Sequence, residues 1–355
     1  MLPYWLMFLI PSFGALIGLG QHQRGHRRDQ VFLVLLFLIF AMLIGLREVG
    51  GDFDNYKRTV DAIAQERFTT SIAHGDPAFT VIAIISNALG FNIYGVNFVC
   101  GVLFLYGLLR FVGTLPDPWL AIAAAVPYMV IVIAMGYIRQ GVSIGFILLA
   151  LLDLDRRSYG WLGFHLLAAM LFHIASVSIM PLFALSVFRR QPLALGLLTV
   201  LGVVAYVFVL QDRWTALYAN YVTAQYDSSG ALVRLLMNAV PATIFLTFRA
   251  RFPLSDVAKA FWTLVSMLSL AMLPLLAASN SSTWIDRIGL FLSPIQLVVF
   301  GYLSTIFAVH VREQRVATLL AVGFYGAVLF VWLNYAVNSA SWLPYRWVIP
   351  AVGIL

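Results

Sequence analysis

Charge is what this 355-residue chain has least of: Asp, Glu, Lys and Arg make up 10% of it, against 62% hydrophobic residues. A soluble globular domain carries about 25% charged residues, so an ordinary water-soluble fold is excluded. The mean hydropathy of +0.92 instead places the chain in a lipid bilayer as a polytopic protein. Cysteine is nearly absent. The single Cys100 rules out an internal disulfide and any cysteine-based metal centre. Lysine is scarce too, Lys57 and Lys259 being the only two, so the net charge of +7 comes mostly from arginine. In a membrane chain that excess marks cytoplasmic loops, and nucleic acid is not expected as a partner. The first apolar run, Leu2 to Gly20, has no basic stretch ahead of it and no small-residue cleavage site before Gln21. It therefore reads as a retained span rather than a signal peptide. No internal repeat, low-complexity tract or soluble domain is visible, so residues 1–355 read as one membrane domain.

A hydrocarbon core about 30 Å thick needs about 20 apolar residues per helix. By that measure the chain divides into spans near 2–20, 30–46, 92–112, 119–137, 140–153, 158–173, 176–188, 193–210, 232–248, 257–278, 287–308 and 316–334. A further half-span is expected to start at Leu343. The expected fold is thus an all-α bundle of about twelve transmembrane helices, in which the shorter runs can be broken helices lining a cavity. The basic loops, among them Arg24, Arg27 and Arg28, Arg156 and Arg157, Arg189 and Arg190, Arg249 and Arg251, and Arg312 and Arg315, fall on one face if the N-terminus is outside. By the positive-inside rule that face is cytoplasmic. Two outer loops are long enough to hold structure. Residues 47–91 contain an amphipathic stretch, Tyr56 to Phe68, and a second helix from Pro77 to Leu89; residues 211–231 are rich in tyrosine.

Against this apolar background, Arg47, Arg139, Arg287 and Arg346 stand at the ends of apolar runs, all on the expected outer side. A guanidinium at mid-bilayer costs about 2.5–3.5 kcal/mol on insertion scales and less near the interface, so such residues face a wet cavity or a partner. Their clustering points to a phosphorylated ligand, because the planar fork of arginine matches phosphate bidentately and never deprotonates. Arg139 sits in Met135 to Gln140, which joins two apolar runs with almost no loop, so it stays close to the bilayer. Lipid headgroups are its plainer alternative partner.

The densest polar cluster is Arg47, Glu48, Gly50, Gly51, Asp52, Asp54 and Tyr56. Paired glycines before two carboxylates suggest a tight turn that brings backbone and acid groups to a ligand. Asp52 and Asp54 have the D-x-D spacing of a divalent-cation site, although a solvated turn with a helix cap fits the same residues. His173, in LFHIAS, is either a packed, hydrogen-bonded histidine or a neutral imidazole able to take a proton from a hydroxyl. Asp286 and Arg287 open a late apolar run, with Asp286 expected to cap the helix start and Arg287 to face a cavity. Trp342, Pro344, Tyr345 and Arg346 read either as an interfacial anchor or as part of the same polar site. His74 is expected to be exposed, and His22, His26, His165 and His310 fall on the cytoplasmic side.

Taken in order, REVGGDFDNY from Arg47 to Tyr56, GYIRQ from Gly136 to Gln140, LFHIAS from Leu171 to Ser176, DRIGLF from Asp286 to Phe291 and LPYRW from Leu343 to Trp347 resemble the EpsG family of exopolysaccharide polymerases, relatives of the Wzy polymerases. The resemblance implies a GT-C-like glycosyltransferase of the inner membrane, its active site facing the periplasm. Its substrates would be oligosaccharide repeat units carried on undecaprenyl diphosphate, and chain-length regulator and export proteins would be its partners. It further implies that Arg139 and Arg287, assisted by Arg47 and Arg346, bind the diphosphate, and that Asp52 or His173, with Glu48 a weaker candidate, takes the acceptor proton. Asp54, Tyr56, Gln140 and Tyr345 would contact the glycan. No metal and no other cofactor is expected, since a diphosphate is already a good leaving group. A transporter of a lipid-linked sugar or anion, and a ligase acting on the same glycans, are the competing readings.

Overall fold

The computed structural model describes residues 1–18, 27–66, 75–191, 193, 196, 230–279, 281–307 and 311–348, with only the backbone of 27–30 and 311. Among these residues the regular elements are helical, and one isolated antiparallel bridge joins Arg47 to Trp347. Composition dictates this, because backbone polar groups in hydrocarbon have no water to bond and a helix satisfies them along its own length.

In chain order the helices are α1 (Leu2–Leu16), α2 (Arg27–Gly45), α3 (Phe53–Ile63), α4 (Pro77–Ala88), α5 (Asn92–Val112), α6 (Pro118–Ala125), α7 (Ile138–Arg156), α8 (Tyr159–Phe172) and α9 (Met180–Phe188). They continue as α10 (Ala231–Phe248), α11 (Asp256–Ala278), α12 (Thr283–Leu292), α13 (Pro294–Gly301), α14 (Leu303–Phe307) and α15 (Val311–Tyr335). A π-helical stretch, Val126–Ala134, prolongs α6, and 3-10 turns occupy Ile174–Ile179 and Val337–Ser341. Local chemistry sets several starts. Asp117 accepts from the Leu120 amide at 3.0 Å with Pro118 opening α6, and Ser255 accepts from the Ala258 amide at 3.3 Å ahead of α11.

Among the described residues five stretches are long and apolar enough to cross a membrane: Asn92–Val112, Ala231–Arg251, Asp256–Ala278, Thr283–Gly301 and Arg312–Tyr335. The chain is a helical membrane protein, but the count of about twelve spans is not supported. Leu2–Leu16, Val31–Gly45, Pro77–Ala88, Pro118–Ala134, Tyr159–Phe172 and Ile174–Phe188 are apolar helices of 10–17 residues. At 1.5 Å per residue a 15-residue helix rises about 22 Å, less than the hydrocarbon thickness. The expected runs 158–173 and 176–188 are two of these short helices, separated by the extended backbone at His173. All but residues 193 and 196 of the expected span 193–210, and nearly all of the loop 211–231, lie outside the described residues.

The chain divides into two compact units, residues 1–153, 158–176 and 300–355 in the first and 154–157 and 177–299 in the second. In the first unit α2 packs along α5, α1 along α6, and α3 and α4 against α5. The two loop helices are docked by a core of Phe53, Val60, Phe79, Ala83, Val96, Cys100, Ile138 and Phe172. The stretches expected as helical, Tyr56 to Phe68 and Pro77 to Leu89, correspond to α3, which starts and ends earlier at Phe53–Ile63, and to α4. Their partners are α5, α7 and α8. Outward-facing side chains such as Leu9, Phe13, Val34, Leu38, Leu319 and Leu320 are exposed and apolar, which suits contact with acyl chains rather than water.

In the second unit α10 packs along α11, and α12 meets both. Polar groups there satisfy one another: Asn238 donates to the Gly289 carbonyl at 2.8 Å, and Gln296 donates to Asn238 Oδ1 at 2.8 Å. Each of these side chains is 1% exposed, so leaving either partner unmet would carry its full desolvation cost.

Candidate functional site

The described part of the first unit gathers pieces of four sequence motifs at one end. Where α2 stops after Gly45, its last carbonyls lack intrahelical donors, and Arg47 supplies them. Its Nη1 donates to the Ile44 carbonyl, its Nε to the Val49 carbonyl at 3.1 Å, and its Nη2 to the Met135 carbonyl at the end of the π-helical stretch. Gly50 comes equally close, because its φ of +132° is open to glycine and a Cβ there would lie 2.9 Å from the Met135 oxygen. The C-terminal segment closes the arrangement. Glu48 N–H donates to the Arg346 carbonyl, Gly50 N–H to the Ser341 carbonyl and Val348 N–H to the Leu46 carbonyl, each at 3.0 Å.

This geometry corrects the expectation for Arg47. With 0% of its surface exposed and its fork spent on three backbone carbonyls, it is a structural tie and not a diphosphate ligand. Burial pushes its guanidinium down to about 10, against the raising effect of Tyr345, Tyr4 and Tyr56, so it stays charged at neutral pH. Tyr345 is half-buried, and its hydroxyl donates to the Leu43 carbonyl at 2.6 Å, tying the C-terminal segment to α2. Trp342 is no lipid anchor either. It is 3% exposed, packed edge-on against Trp332 and Tyr4 and close to Gly136.

A few residues away, Arg139 opens α7 and keeps 36% of its side chain exposed. Its Nη1 donates to Asp76 Oδ2 at 2.9 Å, and its Cζ lies 5.5 Å from the Tyr56 ring centroid and 5.7 Å from that of Phe79. Two aromatic faces and one carboxylate thereby fix the plane of the fork, a favourable setting for a cation. Its Nε is buried without a hydrogen-bond partner among the described residues. Asp76 is the N-cap position of α4 but spends its carboxylate elsewhere. Oδ2 also stands 3.5 Å from His173 Nδ1, and Oδ1 accepts from the Ile174 amide at 3.4 Å. That amide is available because α8 ends at Phe172 and the backbone turns extended at His173, with φ −160° and ψ 110°. Burial works to raise the Asp76 carboxyl, but His173, the Arg139 charge and the Ile174 amide outweigh it and hold it below its ordinary 3.8.

The remaining predicted residues fall around this core. Asp52 is the N-cap position of α3, half-buried, and accepts from Asn55 Nδ2 at 3.4 Å. Asp54 is exposed in the first turn of the same helix, and Tyr56, one turn further, reaches Arg139. Among the described residues no group of three or more His, Cys, Asp and Glu is placed to hold a metal ion. Glu48 accepts from the Tyr94 hydroxyl. Gln140, in the first turn of α7, is 1% exposed. Arg346 is exposed and donates to the Glu48 carbonyl at 3.3 Å.

Asp286 and Arg287 belong to the second unit. Asp286 does not cap α12, whose N-cap position is Ser282; its carboxylate takes the Arg234 fork, Nε to Oδ1 at 2.7 Å and Nη2 to Oδ2 at 3.0 Å. Arg287 is half-buried. Sequence reasoning therefore missed Asp76 and Arg234. The available signal for Asp76 was an acid directly before Pro77, where a helix begins, in a chain too apolar to bury a carboxylate without a cation.

Comparison with known proteins bears on what this end of the molecule does. The model of the EpsG family matches residues 30–347, which contain all five motifs. No curated protein and no solved structure matches the chain.

Proposed function

We propose that this chain, which belongs to the EpsG family, polymerises oligosaccharide repeat units carried on undecaprenyl diphosphate, working from the periplasmic face of the inner membrane. The observation that carries the reading is Arg139: a partly exposed, aromatic-flanked guanidinium at the head of a buried helix. That chemistry suits a diphosphate whose negative charge grows as the glycosidic bond breaks. A hydroxyl of the acceptor unit attacks the anomeric carbon of the donor, the bond from that carbon to the diphosphate oxygen breaks with its electron pair, and lipid diphosphate leaves. The acceptor proton goes to Asp52 or His173. Positioning and electrostatics supply the rate without a bound metal.

The test is to incubate the purified chain in lipid nanodiscs with undecaprenyl-diphosphate-linked repeat units. Longer glycans and free undecaprenyl diphosphate are expected. Transfer only to a different acceptor would identify a ligase, and movement across a bilayer without new bonds a transporter; either outcome rejects the reading. A chelator added to the same reaction is expected to leave turnover unchanged. Loss of turnover restored by magnesium or manganese would instead make Asp52 and Asp54 metal ligands.

A further inference from the structure

Resting on that polymerase reading, we propose that Asp76 is the positioning residue of the transfer step and that it makes His173, not Asp52, the proton acceptor. One carboxylate serves both partners: Oδ2 lies 2.9 Å from Arg139 Nη1 and 3.5 Å from His173 Nδ1, while Oδ1 takes the Ile174 amide at 3.4 Å. The break after Phe172 is what allows this, since a continued helix would carry the Ile174 amide back to its own turn. Asp76 itself is 7% exposed, and α4 packs on α8, so the carboxylate is held between the two helices it joins.

The consequence for the imidazole follows from its shape. A carboxylate beside Nδ1 favours the tautomer that carries the proton there, and Nε2, on the opposite edge of the ring, then presents its lone pair away from Asp76. The acceptor hydroxyl oxygen bonds to the anomeric carbon, its proton passes to Nε2, and the diphosphate departs with the electron pair of the broken bond. Asp76 stabilises the imidazolium that forms and, through Nη1, fixes where the Arg139 fork meets the leaving group. The 3.5 Å separation is long for a hydrogen bond, as such contacts commonly are before substrate binds. Asp52 has a different setting. Its side chain accepts from Asn55 Nδ2, within its own turn.

A double-mutant cycle tests this on the full-length protein in nanodiscs. Asp76→Asn keeps the shape and removes the charge, and is expected to lower kcat by about 100-fold, with a smaller change in KM for the lipid-linked donor. In a His173→Gln background the same change is expected to cost about 10-fold or less, because only the Arg139 fork is then left for Asp76 to position. Equal losses in both backgrounds, or a larger loss from Asp52→Asn than from Asp76→Asn, would overturn the proposal. A second readout needs no substrate and no variant: imidazole 15N shifts are expected to place the His173 proton on Nδ1 in the unsubstituted protein. A proton found on Nε2 would overturn the proposal whatever the activity. Nδ1 protonation in a protein that makes no polymer would leave the Asp76–His173 pairing standing and remove the polymerase reading instead.

Discussion

Arg47 and Arg139 look alike in the sequence, each at the edge of an apolar run, yet their neighbours give them opposite tasks. Arg47 is sealed among the carbonyls of Ile44, Val49 and Met135, whereas Arg139 shares Asp76 and keeps a surface. Lysine can replace neither fork, but the failures should differ. Arg47→Lys is expected to leave carbonyls unpaired at about 1–3 kcal/mol each, lowering Tm and yield while the folded remainder keeps its KM. A normal Tm with a raised KM would return Arg47 to the binding site. Asp76 offers a second test at this scale, through acid. Its folded carboxyl lies below 3.8, so its contribution is complete above that pH and is lost as pH falls through the lower folded value. The Tm difference between the unsubstituted protein and Asp76→Asn should shrink as pH falls from about 5 to about 3; a difference that grows over that interval would contradict the assignment. Residue types were legible in the sequence: Arg139 and His173 stood out as rare polar groups in apolar runs. Their shared carboxylate did not stand out, because Asp76 lies 63 positions from Arg139 and only packing reveals the pair.

At the scale of elements, the close approach of α5 to α7 fixes the site from below. A Cβ on Gly107 would lie 2.1 Å from the Gly145 carbonyl oxygen, and α7 carries Arg139 in its first turn. Gly107→Ala is expected to force the helices apart, at about 1–3 kcal/mol of stability, and to lower activity with it. Gly323→Ala, exposed on α15 with nothing within 4 Å, should change Tm little, which controls for the substitution itself. Equal effects at the two positions would show that this contact does not set the site. Periodicity made α3 readable, since its apolar positions Phe53, Tyr56, Val60 and Ile63 recur at helical spacing. It did not give the span count, because an apolar run marks a helix without fixing that it is long enough to cross. The runs 158–173 and 176–188 were separable in the sequence, yet Tyr159–Phe172 and Ile174–Phe188 are each shorter than a span.

For the whole molecule, the account requires the end bearing Asp54 and Arg139 to face outward and the Tyr159 end of α8 to face the cytoplasm. The single Cys100 makes this accessible: in a Cys100→Ala background, Asp54→Cys should react with an impermeant maleimide in intact spheroplasts, and Tyr159→Cys only after permeabilisation. The reverse pattern would put the site on the wrong face. Membrane class and family were legible from composition and motif order, and the family match over residues 30–347 agrees with them. The most direct measurement is glycan length made from lipid-linked repeat units by Arg139→Lys and Arg139→Ala, each checked for folding by Tm. Both should fold, and both should stop at single repeat units, because lysine keeps the charge but loses the bidentate fork. Polymer of normal length from Arg139→Lys would contradict the diphosphate clamp on which the account stands.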